Sequence, residues 1–578
     1  MIFFKNHKQK ELFDAWAFLS PKRRQLLDQS WPGLFKNEIL KELPVSELTP
    51  FFRADFGRPT KELYTVLGSL VLQQTQDLTD EETVDQLAFN IQWHYALNIT
   101  EESDSAKYIS PKTLWNMRSI VVHHGLEKIL FERITNKLAD VFKVNTDKQR
   151  IDSVHIKSNM RRLGRISIFA KSIHTFLMNL QRSHKELFDT VANDIVEKYL
   201  PEKALTCFSK VKPSESPKTL ASVSNDLFDL VQQFKGDPEV ARMHSFKLLE
   251  RVLKEQCTLN ESDKEKPVEI KAPKEIPSDS LQNPSDPDAS YSGHKGQGYQ
   301  VQIMETYSDT EDKEAKSKTL NLITHVEVEP AHESDVNALI PALQSTQERG
   351  VGPKEALADS LYGSDENCHD AEQLGVEVVA PTMGERKKDA LFLSDFAIAE
   401  KETVVSCPQG HAPVRVKKKK TRHIAAFDSE QCSGCPQKGK CLVRPGKNYH
   451  YLRYTEKELR IARRRDYEQT DEFKDRYRWR AGIEATMSEY DRRTGVKRLR
   501  VRGLKAVRFC ATLKAIGINI LRAAAVRMAL SHDPKIGKPG KLSLNYAFSI
   551  IKERFLSIWC GLKNIFSDTT QHHAPICP

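Results

Sequence analysis

Helical texture in this chain breaks at residues 150–156, where RIDSVHI sets apolar side chains at 154 and 156 against polar ones. Alternation of period two predicts a short strand. The break constrains the fold because helical periodicity resumes at once over residues 165–255, as helices inserted after that strand. Strand texture returns in GYQVQIMETY and TLNLITHVEVE. A predicted helix, ESDVNALIPALQSTQE with Ser334 as its cap, then leads to a strand ending at Asp359 and a short strand, VEVVAP. Strands and helices alternating in this way imply a mixed α/β sheet.

The flanking segments read differently. Residues 1–145 read as helical, with Ser110-Pro111 as a cap and N1 proline and Thr79 with Glu82 as a capping box. That pattern fits a DNA-binding module and a packing or dimerisation domain equally well. Residues 257–290 carry prolines at 267, 273, 277, 284 and 287 among charged residues, the composition of a linker that buries little. Residues 383–469 hold a Lys417–Lys420 run and clustered cysteines, and form an insertion. One long helix is then predicted from a Thr470 cap to about Arg493, stopping near Gly495. A further helix reaches about residue 530, and 531–578 form a tail.

The net charge is +10, and residues 453–508 alone carry 18 Lys/Arg against 10 Asp/Glu, a distribution suited to a polyanionic partner. The opening MIFFKNHKQKELFDAW is too charged for a secretory signal. The apolar run FCATLKAIGINILRAAAV is interrupted by Lys514 and Arg522 and is expected to fall short of a membrane span. Four of the ten cysteines lie within residues 407–441, which argues against a disulfide framework and for a reducing cytoplasm.

Phosphodiester chemistry needs hard cations held by converging carboxylates. Asp152 inside a strand, Asp359 at a strand end and Glu484 on a following helix occupy three settings that can converge. Each also has an ordinary reading: Asp359 as a turn residue, Glu484 as a solvated helix glutamate. Asp152 is the exception, since a buried carboxylate is costly unless paired or metal-bound. Tyr477, Arg480 and Glu484 share one helix face by spacing, with Arg492 close to it.

The segment RWRAGIEATMSEYDRRTGVKRLRVRG resembles the Y-x2-R-x3-E segment of bacterial insertion-sequence DDE transposases and the basic stretch after it. IDSVHIKSN is similar to that family's first-aspartate strand and LADSLYGSDEN to its second-aspartate turn. FRADFGRPTKELYTVLGSLVLQQTQDLTDEETVDQLAFN is similar to the helical N-terminal domain of many such transposases, so the resemblance covers most of residues 50–525. It implies an α+β protein: an RNase H-like mixed-sheet catalytic domain over 146–382 and 470–530, with the helical N-terminal domain and a cysteine-bearing insertion. It further implies Asp152, Asp359 and Glu484 as ligands of Mg²⁺ or Mn²⁺, with Tyr477, Arg480 and Arg492 toward DNA. Where the family pattern has a basic residue seven positions after the glutamate, this chain has Asp491, with Arg492 next. Lys497, Arg498, Arg500 and Arg502 would supply backbone affinity for terminal repeats and target DNA. Pairing two DNA ends implies at least a dimer, and no membrane partner is expected. A nuclease that cuts without joining and an inactive DNA-binding derivative stay open as alternatives.

Cys432-x2-Cys435, Cys441 and Cys407 in CPQGH have the ligand types of a tetrahedral structural zinc, with His411 able to replace one thiolate. Unligated cytosolic thiols are the competing reading.

Overall fold

A computed structural model describes residues 2–531, apart from 8, 10–13, 54–56, 58, 202–211, 261–266, 385–389, 400–402, 420 and 421. The proposed tail beyond 531 and Lys420 of the lysine run therefore lie outside the described residues. The N-terminal region is helical, as its pattern predicts. Its central helix α1 (Leu63–Thr75) is buried along nearly all its length. Thr79 and Glu82 form the expected capping box, and Ser110 accepts the Thr113 amide ahead of Pro111.

The strand read from RIDSVHI is β1 (Lys148–Lys157). After it, α2 (Arg165–Ser183) opens the predicted helical insertion, whose core includes Phe169, Phe176, Leu227 and Phe246. The main sheet then gains β2 (Ser290–Ser292), β3 (Gly296–Thr306), β4 (Ile323–Pro330), β5 (Glu355–Leu357) and β6 (Glu377–Val379). β3 pairs antiparallel with β1, placing Asp152 opposite Ile303. β4 and β2 pair antiparallel with β3. On the other edge of β1, β5 and then β6 are parallel. The mixed sheet thus runs β4–β3–β1–β5–β6. Its alternating side chains enter different cores: Ile151 packs with Leu339 and Leu343, while Val154 and Ile156 join the core of the N-terminal helices. With both faces covered, β1 can bury apolar groups on each side.

Three expectations are corrected. Residues 257–290 do bury surface, since Leu281 and Asn283 are fully buried and Asp286 nearly so. The reason is polar. Asp286 accepts bonds from the hydroxyls of Ser158 and Tyr299 and from the Gly503 amide. Asp288 accepts the Leu504 amide. The predicted helix from Thr470 is also broken. It comprises Asp471–Tyr477, a 3-10 turn Arg478–Ala481 and α3 (Gly482–Thr494), which ends at Gly495 with φ +65° as expected. The break falls where the Arg150 guanidinium takes the Trp479 carbonyl at 2.7 Å. Finally, α4 (Leu504–Ser531) is long and apolar enough to cross a membrane by length and composition, yet 83% of the qualifying window is buried. Its interrupting cations are paired: Lys514 with Asp77, and Arg522 with Glu305 and Glu489. It packs against α1, β4 and the helix Leu126–Val141 as the central helix of the core.

A further core, drawn from residues between Leu393 and Ala462, lies about a four-stranded antiparallel sheet. The sheet is ordered Arg415–Lys418, His423–Phe427, His450–Tyr454, Arg444–Pro445.

Candidate active site

β5 ends at Leu357 opposite Arg150 of β1, and two residues further along the two chains stand Asp359 and Asp152. Asp359 takes up its turn role, with Oδ1 accepting the amides of Leu361 at 2.8 Å and Tyr362 at 3.4 Å. Tyr362 is buried and donates its hydroxyl to Gln302 at 2.5 Å, tying that turn to the sheet. Asp152 Oδ1 accepts the Ser153 amide at 2.8 Å, and its Oδ2 accepts from Arg480 Nη2 at 2.8 Å. Burial pushes the Asp152 carboxyl above the usual carboxylate range, against Arg480 and the Ser153 amide, and the charges of Asp359 and Asp335 add to the rise. Tyr477 stacks on Phe473 with ring centroids 5.4 Å apart. Burial raises its phenol, which also feels Arg480, Asp359 and Asp152.

The structure therefore gathers Asp152, Asp359, Tyr477 and Arg480 from three chain segments. Glu484 stands slightly apart. Its side chain is 73% exposed, and its one ion pair among the described residues is a 3.8 Å contact with Arg480 Nη1. Arg480 lies between the two carboxylates, with its Nε buried and without a hydrogen-bond partner. Among the described residues, no three or more His, Cys, Asp or Glu side chains are placed as a group that could hold a metal ion.

The turn that carries Arg480 is fixed by residues the sequence reading passed over. Glu305 is fully buried on β3 opposite Arg150 and receives Arg150, Arg522 and the Thr486 hydroxyl. Burial pushes this carboxyl up, but Arg522 and Arg150 more than offset it and hold it below the usual range. The available signal was a lone acid in an apolar strand and a lone arginine in an apolar helix, each of which needs a partner when buried.

The basic stretch after α3 divides by partner. Lys497 contacts Asp491 at 3.8 Å and Arg500 contacts Asp77 at 3.2 Å, so both are engaged within the chain. Arg502 donates to Asn159 at 2.9 Å. Arg492 and Arg498 are exposed.

The cysteines converge in the 383–469 region. Cys407, Cys432 and Cys441 pack against its core. The Cys407 amide bonds the His411 carbonyl at 2.9 Å, closing the CPQGH turn. Burial pushes the Cys432 thiol up to about 11, with Cys441, Cys407 and Cys435 near enough to add to it. All four thiols are free.

Two stretches of the chain match family models. Residues 406–524 match a transposase DDE domain, and residues 29–119 match a transposase domain (DUF772). The first stretch contains Glu484 and the four cysteines, while Asp152 and Asp359 lie outside both. No curated protein matches the chain. A helical N-terminal region joined to a mixed sheet, with both matches to transposase domains, defines the class as transposases, which act on DNA. Together the two matches support an insertion-sequence DDE transposase.

Proposed function

We propose that this transposase cuts and joins DNA at the ends of an insertion sequence through an RNase H-like site built on Asp152, Asp359 and Glu484. The observation that carries the reading is that Asp152 and Asp359 each follow, by two residues, the Arg150–Leu357 pair of adjacent parallel strands, with Arg480 between Asp152 and Glu484. The strand order, with antiparallel pairings from β1 to β3 and from β3 to β4 on one side and parallel pairings to β5 and β6 on the other, supports the fold assignment. The donor set suits a hard divalent cation in its chemistry, although the three acids are not gathered as one group here. It is all oxygen, and the mutual charge of Asp152 and Asp359 is opposed mainly by one arginine. Mg²⁺ or Mn²⁺ bound there supplies activation of the attacking oxygen and stabilisation of the leaving one.

The chain's own residues do the rest. Asp152 and Asp359 are held by β1, β5 and the Asp359 turn, so both acids are oriented before substrate arrives. Water attacks a phosphodiester at the element's end and breaks its P–O3′ bond to free a 3′-hydroxyl, which then attacks a phosphodiester of target DNA and displaces the 3′-oxygen of that target strand. Arg480 and Tyr477 flank the acids and position phosphate, with Arg492 and Arg498 further along α3 and the turn after it. The helical region within 1–145 binds the terminal repeats, and two subunits pair two ends. Cys407, Cys432, Cys435 and Cys441 take a structural Zn²⁺ that closes the small core of the 383–469 region, with His411 as a substitute ligand.

A strand-transfer assay on duplexes from the flanks of the coding sequence tests the reaction. Joined products that require Mg²⁺ or Mn²⁺ are expected, and cleavage without joining would leave a nuclease instead. Metal analysis of purified protein tests the cysteines. One zinc per chain is expected, lost in a Cys432→Ser/Cys435→Ser variant, and zinc-free wild type would overturn the assignment.

A further inference from the structure

The loop that leaves β1 carries Lys157, Ser158, Asn159, Met160, Arg161 and Arg162, and Lys157, Arg161 and Arg162 are exposed. Its backbone is pinned on several sides. The Ser158 hydroxyl donates to Asp286 at 2.6 Å, and Asn283 donates to the Arg161 carbonyl at 3.0 Å. Asn159 accepts Arg502 Nε at 2.9 Å, joining the loop to the basic stretch that follows α3. The Arg162 guanidinium sits 5.0 Å over the Tyr291 ring. Lys171, on the first turns of α2, is close enough to Arg502 for that charge to oppose its own.

Five cations from three chain segments thus share one edge, and among the described residues none of them has an ion pair with a carboxylate. Two acids that hold the neighbouring backbone are engaged elsewhere: Asp286 binds Ser158, Tyr299 and the Gly503 amide, and Asp288 binds the Leu504 amide. A pinned loop with unpaired cations loses little conformational freedom when it meets an anion. Repulsion within the cluster favours a ligand that brings several negative charges at regular spacing.

Resting on the transposase reading, we infer that Lys157, Arg161, Arg162, Lys171 and Arg502 form a flanking clamp for the duplex backbone, at the C-terminal end of β1 beyond the acids. Lys157 lies five residue steps along the strand from Asp152, about 16 Å at the rise of an extended chain. At about 3.4 Å per base pair, the clamp grips phosphates roughly five base pairs from the bond being cut. These five cations carry no sequence information; they set register and orientation.

The test is anisotropy titration of a random-sequence duplex of about 40 base pairs, metal-free, across a range of salt concentrations. It compares wild type, Arg161→Ala/Arg162→Ala, and Arg182→Ala/Lys185→Ala as an equal charge loss at the far end of α2. Losing two phosphate contacts should lower the slope of log affinity against log salt by about 2 and weaken binding roughly tenfold or more near physiological salt. The far-end variant should behave as wild type. Matching thermal unfolding curves would show that the exposed substitutions leave the fold intact. A 161/162 variant that binds like wild type, or no worse than the far-end variant, overturns the clamp while leaving the transposase reading in place. Wild type that does not bind duplex at all overturns that reading and the clamp with it.

Discussion

Glu305 has no exposed surface, and the groups it holds reach the proposed metal ligands within one further bond. Arg150 runs from Glu305 to the Trp479 carbonyl, and Arg480, next in the chain, reaches Asp152. Removing one partner of a buried charge network leaves the others unpaired, which costs about 3–5 kcal/mol. Glu305→Gln should therefore lower stability by about that amount in chemical unfolding, and a loss well below 1 kcal/mol would show that Arg150 and Arg522 find other partners. The pH dependence follows from the sign. The folded carboxyl lies below its ordinary range, so its stabilisation is present above that range and fades as pH falls below it. Wild type should lose stability on acidification more steeply than Glu305→Gln, which lacks the titrating group. Alanine at Asp152, Asp359 or Glu484 should abolish strand cleavage while leaving duplex affinity within a fewfold of wild type; retained cleavage would refute the assignment. These three acids are candidates from sequence because of their settings, inside a strand, at a strand end and on a following helix, and because of the family resemblance around them. Glu305 could not be read this way, because its partners lie 155, 181 and 217 residues away.

What the sequence showed of the elements follows the range of the interactions that define them. The capping boxes and the Gly495 stop are local and were legible. The break at Arg478–Ala481 was not, since its cause is an arginine on β1. The burial of 257–290 was hidden for the same reason, because Asp286 and Asp288 serve amides at the start of α4. Gly482 shows how tightly the break is specified. A Cβ there would lie 2.1 Å from Arg150 Nη1, and Arg150 is itself held by Glu305 and Trp479. Gly482→Ala should then displace the turn that presents Arg480. Overpacking of this kind costs about 1–3 kcal/mol, and cleavage should fall by more than DNA affinity does. Comparing the cleavage rate with the dissociation constant checks this, and an unchanged rate would mean that Arg150 yields without moving the turn.

Across the whole molecule, the two regions that match transposase models meet in one core rather than across a hinge. That core takes in Leu67 and Leu70 of α1, Val154 and Ile156 of β1, Ile483 of α3 and Ile516 of α4. Contact between α1 and α4 is close enough that a Cβ at Gly517 would fall 2.9 Å from Thr75 Cα. The helical insertion after β1 buries its own separate set, from Ile168 to Leu281. Cooperative units follow contiguous cores, so the N-terminal helices should open together with the sheet and α4, while the insertion opens alone at lower free energy. Native-state hydrogen exchange distinguishes these units. Amides of α1, β1 and α4 should converge on one opening free energy as denaturant rises, with those of α2 on a lower one. Exchange of α1 well before α4 would show instead that the N-terminal region is an independent module docked on the catalytic sheet.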